Sequence, residues 1–296
     1  MTEVRIPATS ANLGVLFDKG GVALDAFENI IRIEEAKEFS LNISGLGADH
    51  IPMNRENLIN KAIEYFYNET GRPMPVFSIS TTNGIPISRG LGSSAACIAG
   101  GIFAASMYEG ETLSKTEIIN MATALEGHGD NVCAAVSGGF SIYKTDGILT
   151  MPSGIDLGFI LYIPEETLST KKSRGILPSE YDYKTRKRAD NLEHSMMKAL
   201  YDMDYEKAGS LMELDVIHQP YRKQLIPYWE EVMLFSKKAG VWGTALSGAG
   251  PSMISMCPIN HIDKIIKELK MSVDKRFNLN IIGCEINTRG AWGKQT

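Results

Sequence analysis

The residue types best suited to chemistry lie in a glycine-rich segment in the first third of the chain. The segment reads Pro86-Ile87-Ser88-Arg89-Gly90-Leu91-Gly92-Ser93-Ser94-Ala95-Ala96. Glycines let the backbone approach a ligand closely, and a helix N-terminus offers free N–H groups at the positive end of its dipole. A run of small residues, Ala95 to Ala105, follows and suits a buried helix. We therefore expect a phosphate site in which the hydroxyls of Ser93 and Ser94 contact phosphate or Mg²⁺.

By itself this segment leaves two interpretations open. The chain has neither the G-x-x-x-x-G-K-[ST] pattern of a P-loop nor the G-x-G-x-x-G pattern of a dinucleotide-binding fold. The segment therefore fits a phosphate cradle, but it also fits a tight turn whose small residues allow close helix packing.

Two further segments favour the phosphate cradle. They are Pro7-Ala8-Thr9-Ser10-Ala11-Asn12-Leu13-Gly14, and a second glycine-rich stretch, Thr244-Ala245-Leu246-Ser247-Gly248-Ala249-Gly250-Pro251-Ser252. In this order the three segments resemble the signature motifs of the GHMP kinase superfamily, from about residue 5 to residue 255. The resemblance implies an α+β fold, with an N-terminal α/β, ATP-binding domain (residues 1–150), a C-terminal ferredoxin-like α+β domain (residues 151–296) and the active site between them.

Four more segments resemble homoserine kinases, a family of GHMP kinases that phosphorylate the side-chain hydroxyl of L-homoserine with Mg-ATP in threonine biosynthesis. They are Asn12-Leu13-Gly14-Val15-Leu16-Phe17-Asp18, Glu126-Gly127-His128-Gly129-Asp130-Asn131-Val132, Leu168-Ser169-Thr170-Lys171-Lys172-Ser173-Arg174 and His218-Gln219-Pro220-Tyr221-Arg222-Lys223-Gln224-Leu225-Ile226-Pro227. The resemblance implies a homoserine pocket lined by Asn12, Asp18, His128, Asn131, Thr170, Arg174 and Arg222.

These residue types suit an amino-acid substrate. Arg174 and Arg222 can each offer a planar fork to its carboxylate, and Asp18 can take the ammonium or the hydroxyl end. Simpler interpretations remain open for three residues: Arg222 as a surface cation, Thr170 as a strand-end hydroxyl and His128 as a helix cap.

The resemblance also assigns nucleotide and metal contacts. It implies ATP contacts at Asn57, Pro86, Ser88, Arg89, Gly90, Leu91, Gly92, Ser93, Ser94, Ala95, Ala96, Ser247 and Gly248. It implies Mg²⁺ ligands at Ser94 and Glu126. Asn57 is equally consistent with an ordinary helix N-cap. The alternative for Glu126 is a solvated carboxylate, but a negative charge is disfavoured in the last turn of a helix and a metal would offset that cost, which favours the metal.

The catalytic candidates are Asn131, Asp130 and Glu126. In several GHMP kinases an aspartate at the position of Asp130 acts as general base, which is one interpretation. The other is a supporting or helix-capping role, because phosphoryl transfer through a loose transition state depends on positioning and charge neutralisation more than on deprotonation.

Two rival functions remain. One is another GHMP kinase with a mevalonate-like or sugar substrate, and the other is a non-catalytic sensor of the same fold. The metal carboxylate and the loop serines argue against the sensor, and the paired arginines with Asp18 argue for an amino acid. Cys133-Ala134 stands where many homoserine kinases have Ala-Pro, a departure in the pocket region.

Local patterns predict the elements that position these residues. Val4 to Ser10 and Val76 to Thr82 alternate like strands, and Asn57 to Tyr67 has helical spacing. Ser114 and Glu117 form a capping box for a helix that stops before Gly127. Further helices are expected at Lys184–Met203, Glu206–His218, Pro227–Lys238 and Asn260–Met271, a hairpin at Phe140–Pro152, and a domain boundary at Pro152-Ser153-Gly154.

Composition limits the class of protein. The chain has 296 residues, 44% hydrophobic and 22% charged, with a net charge of −5. These values are ordinary for a globular enzyme and give no global attraction to nucleic acid or acidic membranes. With four scattered cysteines, no secretory signal and no apolar run long enough for a bilayer, we expect a cytoplasmic protein with reduced thiols. The family resemblance further implies a homodimer.

Overall fold

Strands and helices alternate along the residues that the computed structural model describes, namely 1–110, 113–144, 147–151, 154, 156–273 and 275–295. The strands are β1 (Thr2–Asn12), β2 (Leu16–Glu35), β3 (Ser40–Gly45), β4 (Phe77–Asn83), β5 (Phe140–Lys144), β6 (Gly147–Met151), β7 (Leu157–Ile163), β8 (Gly243–Leu246), β9 (Met253–Pro258), β10 (Asn280–Glu285) and β11 (Trp292–Gln295). The helices are α1 (Leu58–Thr70), α2 (Ser93–Tyr108), α3 (Lys115–Glu126), α4 (Asp130–Ser137), α5 (Thr170–Gly175), α6 (Tyr183–Tyr201), α7 (Tyr205–Met212), α8 (Gln219–Arg222), α9 (Trp229–Lys238) and α10 (Ile262–Ser272).

The first sheet is organised around the long strand β2. Its order is β11-β1-β2-β4-β3, with β5 beside β2 and β6 beside β5. One end of β2 (residues 20–22) pairs with β5, and the other (residues 29–35) pairs with β4. The β1–β2 register shifts between Ala11 and Asn12, at the end of β1. The sheet therefore ends irregularly where the first polar segment begins.

Helix α2 is the buried helix predicted from the run of small residues. Its side chains from Ala95 to Ser106 are almost all buried, because α1, α3 and the first sheet pack around it. At Gly101 a Cβ would lie 2.7 Å from the Ile59 carbonyl oxygen, so α1 can pack this closely only against glycine. The tight packing fixes the N-terminus of α2, where the glycine-rich segment ends.

The second sheet has the order β10-β7-β9-β8, and all of its strand pairs are antiparallel. The chain enters with β7, passes through α5 to α9, and continues through β8, β9, α10 and β10. Numbered along the chain, these strands lie in the order 4-1-3-2 with helical crossovers. This topology is ferredoxin-like, as the family resemblance implied.

The predicted division at residue 150 does not separate the two sheets cleanly. Strand β11 returns to the first sheet, where Trp292–Gln295 pairs with Thr2–Arg5 of β1. An unpaired strand edge is a liability, and β11 covers that of β1. The segment 151–296 therefore contributes to both sheets. Pro152 and Ser153, in the predicted boundary, and Thr145 and Asp146, in the predicted hairpin turn, lie outside the described residues.

Several predicted local signals are confirmed, and one helix end is wrong. Ser114 and Glu117 form the capping box of α3, and Gly127 ends it with φ 91°. The helix predicted for Glu206–His218 ends at Met212 instead. Beyond it, Asp215 accepts hydrogen bonds from the N–H groups of Ile217, His218 and Gln219 at 2.9, 3.0 and 2.7 Å, a local alternative to helix. No helix in the described ranges is long and apolar enough to cross a membrane.

Candidate active site

The three signature segments, far apart in sequence, contact one another directly. The hydroxyl of Ser247 donates to the Gly90 carbonyl oxygen at 2.7 Å and lies 2.9 Å from Ser10 Oγ. The N–H of Gly248 donates to the Ala11 carbonyl oxygen at 3.0 Å. The segment with Ser247 follows β8, the segment with Gly90 precedes α2, and the segment with Ser10 ends β1. The contacts therefore join the two sheets at one place.

Beside these contacts lies a cavity of about 360 Å³, within the size range of small-molecule sites. Its lining consists of Asn12, Asp18, His50, Ile51, Pro52, Glu56, Asn57, Leu58, Asn83, Pro86, Ile87, Ser88, Arg89, Gly90, Leu91, Gly92, Ser93, Ser94, Ala95, Cys97, Glu126, His128, Asp130, Asn131, Thr170, Arg174, Arg222, Gly248 and Ala249.

The cavity brings together all the predicted site residues except Ala96 and Ser247, which are fully buried. Sequence reasoning missed nine lining residues. Five of them adjoin residues that were predicted, namely Glu56, Leu58, Ile87, Cys97 and Ala249, so proximity in sequence was a usable signal. For His50, Ile51, Pro52 and Asn83 the sequence gives no such signal.

The glycine-rich segment forms the start of α2 in the way that phosphate binding requires. Gly90 and Gly92 have φ of 72° and 73°, the left-handed region, and Gly92 is the N-cap of α2. A Cβ at Gly90 would lie 2.2 Å from the Ser247 carbonyl oxygen. Glycine is therefore needed at position 90 for backbone conformation and for contact with the third segment.

We expect Gly90→Ala to lower the Tm more than Gly71→Ala. Gly71, at the end of α1, has a similar φ of 67° and open space around its Cβ position. In both variants the alanine pays a conformational cost of roughly 1–2 kcal/mol for the left-handed backbone. Only the Cβ at position 90 also clashes with a backbone oxygen. Thermal melts of the two variants measure the change in Tm. As a second readout, the KM for ATP should rise in Gly90→Ala alone. Equal melting shifts with unchanged KM values would contradict it.

Ser94, in the first turn of α2, contacts Glu126, the last residue of α3. The Ser94 hydroxyl donates to Glu126 Oε2 at 2.8 Å. Burial raises the pKa of the Glu126 carboxyl above its ordinary value, against this hydrogen bond and the nearby His128, which lower it. A carboxylate that is partly withdrawn from water and lacks a lysine or arginine partner among the described residues suits a cation.

The donor set fits Mg²⁺ rather than a metal held by protein alone. In the described residues there is no group of three or more His, Cys, Asp or Glu side chains that could hold a metal ion. Mg²⁺ takes one or two protein oxygens and completes its shell with phosphate oxygens and water. Ser94 and Glu126 can supply the protein share.

Asp130 holds two neighbours through one oxygen. Its Oδ1 accepts the N–H of Asn131 at 2.7 Å and lies 3.0 Å from His128 Nδ1. The hydrogen bond to the Asp130 carboxylate raises the pKa of His128, against burial, which lowers it. Asp130 is the first residue of α4 and Gly129 is the N-cap, so Asp130 supports the first turn of the helix from within it. Gly127 caps α3, so the capping interpretation of His128 is wrong.

Asn131 is oriented by Thr9. The Thr9 hydroxyl donates to Asn131 Oδ1 at 2.7 Å. The amide nitrogen of Asn131 is therefore available to donate to a ligand in the cavity, which Asn131 lines.

At the other end of the cavity Asp18 and Arg174 form a forked ion pair. Nη1 and Nη2 of Arg174 donate to the two Asp18 oxygens at 2.9 and 2.7 Å. Asn12 holds Asp18 in place, since Asn12 Oδ1 accepts the Asp18 N–H at 3.0 Å and Nδ2 donates to Gly248 O at 2.9 Å. Asn12 thus supports Asp18, and the Arg174 fork predicted for the substrate engages Asp18 instead.

Arg222 differs sharply from Arg174. It is 1% exposed, so its interpretation as a surface cation is wrong. Nε donates to Ser173 O at 3.2 Å, Nη1 donates to Gly248 O at 3.2 Å, and Nη1 lies 3.3 Å from His218 Nδ1. These acceptors are uncharged. Burial and the nearby Arg174 lower the pKa of Arg222 to about 10. Arg222 is therefore a buried cation without a carboxylate partner among the described side chains.

Two other predicted contacts, Arg89 and Asn57, carry local structural roles as well, and Thr170 lies in a different element from the one considered. Arg89 donates to the carbonyl oxygens of Ile87 and Pro164, both at 2.8 Å, and to that of Glu165. Asn57 is the N-cap of α1, and its Oδ1 accepts the Ile59 N–H at 2.9 Å. Thr170 is the exposed first residue of α5, so it is not a strand-end hydroxyl.

Known proteins match the chain along most of its length. The family model of the GHMP kinases N terminal domain matches residues 57–139, and that of the GHMP kinases C terminal domain matches residues 196–273. A homoserine kinase of Moorella thermoacetica is 38% identical over 87% of this chain and 88% of its own length. One of Caldicellulosiruptor bescii is 36% identical over 98% and 96%. A crystal structure of homoserine kinase from Cytophaga hutchinsonii superposes with a TM-score of 0.88, covering 99% of this chain and 97% of that one at 24% identity.

Proposed function

Because the chain belongs to the homoserine kinases, a family of the GHMP kinases, we propose that it transfers the terminal phosphoryl group of ATP to the side-chain hydroxyl of L-homoserine. The product is O-phospho-L-homoserine, on the route to threonine. This proposal commits to one substrate within a superfamily that also uses sugars and mevalonate.

The observation that carries the proposal is the buried, unpaired charge of Arg222. Burying a cation beside neutral acceptors is costly unless an anion joins it. A substrate carboxylate supplies that anion, which favours carboxylate-bearing substrates over sugars. Asp18 is paired with Arg174, but its partly exposed carboxylate oxygens can each accept a further hydrogen bond from an ammonium group, which favours an amino acid over mevalonate.

The other end of the cavity suits the nucleotide. The residues Ser88 to Ser94 present backbone N–H groups at the N-terminus of α2, where phosphate is stabilised. Ser94 and Glu126 would hold Mg²⁺, which supplies neutralisation of phosphate charge when bound. Asn131 Nδ2 is available to orient the reacting hydroxyl, and Asp130 fixes the start of α4 beneath it. Asn57 and the lining residues near it would take the adenine end.

We expect Asp130→Asn to keep kcat within about 10-fold of wild type, because an amide oxygen can still accept from Asn131 N–H. If Asp130 were a general base, its replacement would instead lower kcat by about 10²–10⁴-fold. Asp130→Ala is the matched control, since it removes both the base and the acceptor and should cost more than Asp130→Asn. Steady-state kinetics with saturating homoserine and ATP measure both. Equal collapse of kcat in the two variants, with normal Tm, would assign Asp130 the role of base.

A coupled ADP-release assay tests the function itself. The purified chain with Mg-ATP is offered L-homoserine, L-threonine, mevalonate and galactose, and phosphate transfer is verified by mass spectrometry of the product. We expect homoserine to give the highest kcat/KM by a wide margin. Faster turnover of mevalonate or galactose would leave the superfamily intact and overturn the substrate.

We further propose that the enzyme acts in the cytoplasm, as a homodimer and without nucleic acid. Its cysteines, Cys97, Cys133, Cys257 and Cys284, are unpaired, and burial raises the pKa of each to about 12. Unreactive reduced thiols are typical of a cytosolic protein. Light scattering of the purified chain measures the oligomeric state.

A further inference from the structure

We propose that His218 is a positioning residue for substrate recognition: a neutral imidazole that holds the Arg222 guanidinium with one nitrogen and the turn between β1 and β2 with the other. The inference rests on the proposed function, in which Arg222 takes the substrate carboxylate. His218 is completely buried and does not line the cavity. It acts through its neighbours and touches no substrate.

The contacts of the two ring nitrogens specify one protonation state. Nε2 lies 2.9 Å from the carbonyl oxygen of Gly14, which can only accept, so Nε2 carries the hydrogen. Nδ1 lies 3.3 Å from Nη1 of Arg222, which can only donate, so Nδ1 carries the lone pair. The neutral ring protonated at Nε2 satisfies both partners at once, whereas the charged ring would place a second cation against Arg222.

The carboxylate beside the ring does not change this assignment. Asp215 Oδ2 lies 3.5 Å from Nε2, but the two Asp215 oxygens already accept three backbone N–H groups at the turn before α8. Burial lowers the pKa of His218, which agrees with a neutral ring.

A neutral acceptor fixes Arg222 without cancelling its charge. Arg174 shows the contrast, since its charge is balanced by the Asp18 carboxylate. Held by His218, Ser173 O and Gly248 O, Arg222 keeps its full charge for an incoming carboxylate. A carboxylate in the place of His218 would compete with the substrate.

The same ring ties together the two ends of the amino-acid site. Gly14 lies in the turn between β1 and β2, and Phe17, next to Asp18 at the start of β2, stacks on His218 with ring centroids 5.0 Å apart. Phe17 also lies under both guanidinium groups, 5.2 Å from Arg222 and 6.0 Å from Arg174. His218 therefore sets the separation between the cation for a carboxylate and the anion for an ammonium group.

Three variants separate the two contacts. In His218→Asn the amide oxygen can replace Nδ1 as acceptor for Arg222, whereas in His218→Gln the amide nitrogen can replace Nε2 as donor to Gly14. His218→Leu loses both. We expect His218→Gln and His218→Leu to raise the KM for homoserine by about 10-fold or more, the worth of a hydrogen bond to a charged group. ATP KM and kcat at saturation should stay near wild type, and His218→Asn should recover most of the loss.

A substrate lacking the carboxylate is the matched control. 3-Amino-1-propanol retains the amine and the hydroxyl of homoserine, so its kcat/KM should be the same in wild type and in His218→Gln. A loss as large as that for homoserine, or equal changes in both KM values and kcat across the three variants, would show a merely structural role and overturn the proposal. Wild-type turnover of homoserine, measured first, tests the proposed function separately.

A second measurement needs only one of the three variants to fold. Nitrogen-15 NMR of histidine-labelled wild-type protein, assigned by comparison with that folded His218 variant, reports which ring nitrogen is protonated. We expect a neutral His218 with hydrogen on Nε2. Hydrogen on Nδ1, or a charged ring at neutral pH, would overturn the proposal.

Discussion

Replacing Glu126 by glutamine should lower kcat by about 10²–10³-fold, the cost of removing one preorganised group that stabilises transition-state charge. The amide keeps the size of the side chain and can still accept from Ser94, but it loses the charge that attracts Mg²⁺. Because burial already disfavours a charged group here, as the raised pKa of Glu126 indicates, the neutral variant should fold at least as well as wild type.

The matched control is Glu56→Gln. Glu56 lines the same cavity but is largely exposed and pairs with Lys61, so its loss should leave kcat unchanged. Kinetics at increasing Mg²⁺ measure both variants. Wild-type kcat in Glu126→Gln at saturating Mg²⁺ would assign Glu126 to solvent and remove it from the metal site.

Replacing Arg222 by methionine should raise the KM for homoserine by about 10²–10³-fold, within the 2–5 kcal/mol that a lost partner of a buried charge pair costs. The KM for ATP should change much less, since Arg222 contacts Ser173, His218 and Gly248 and not the Ser94–Glu126 pair. Arg222→Lys should fall between, because it keeps a charge but loses the planar fork.

The Tm makes this second experiment decisive. Replacing Arg222 by an apolar side chain relieves the cost of burying an unpaired charge, but it leaves the Ser173 and Gly248 carbonyl oxygens and His218 Nδ1 without a donor. Because these two effects oppose each other, we expect a weaker enzyme with a Tm close to that of wild type, measured by calorimetry without substrate. A large fall in Tm together with general loss of activity would identify Arg222 as a structural residue.

Sequence reasoning succeeded where a local pattern and the function coincide. The three small-residue segments predicted the fold and the family, both confirmed by the matches along the chain. Gly90 and Gly92 adopt backbone conformations that glycine favours, so their spacing carried geometric information. The assignments of individual site residues stay predictions, although the cavity brings nearly all of them together.

The rest depends on contacts between distant parts of the chain, which local patterns do not encode. In the sequence, Arg222 is surrounded by polar residues of the kind usually found at a protein surface. Only the packing of Ser173, Gly248 and His218 around it makes it a buried cation. Asn12 and Arg89 were expected to contact ligands, yet their polar atoms also hold backbone from other segments. The sequence did not predict strand β2. Its two ends pair with different strands, which breaks the simple alternation of apolar and polar residues.

The pairing of the first strand with the last has a consequence for synthesis on the ribosome. The ribosome makes Thr2–Arg5 about 290 residues before its partner Trp292–Gln295. At about 5–20 residues per second, β1 waits roughly 15 to 60 s for that partner. Throughout that interval the nascent chain presents an unpaired strand edge, to which chaperones or neighbouring nascent chains can bind.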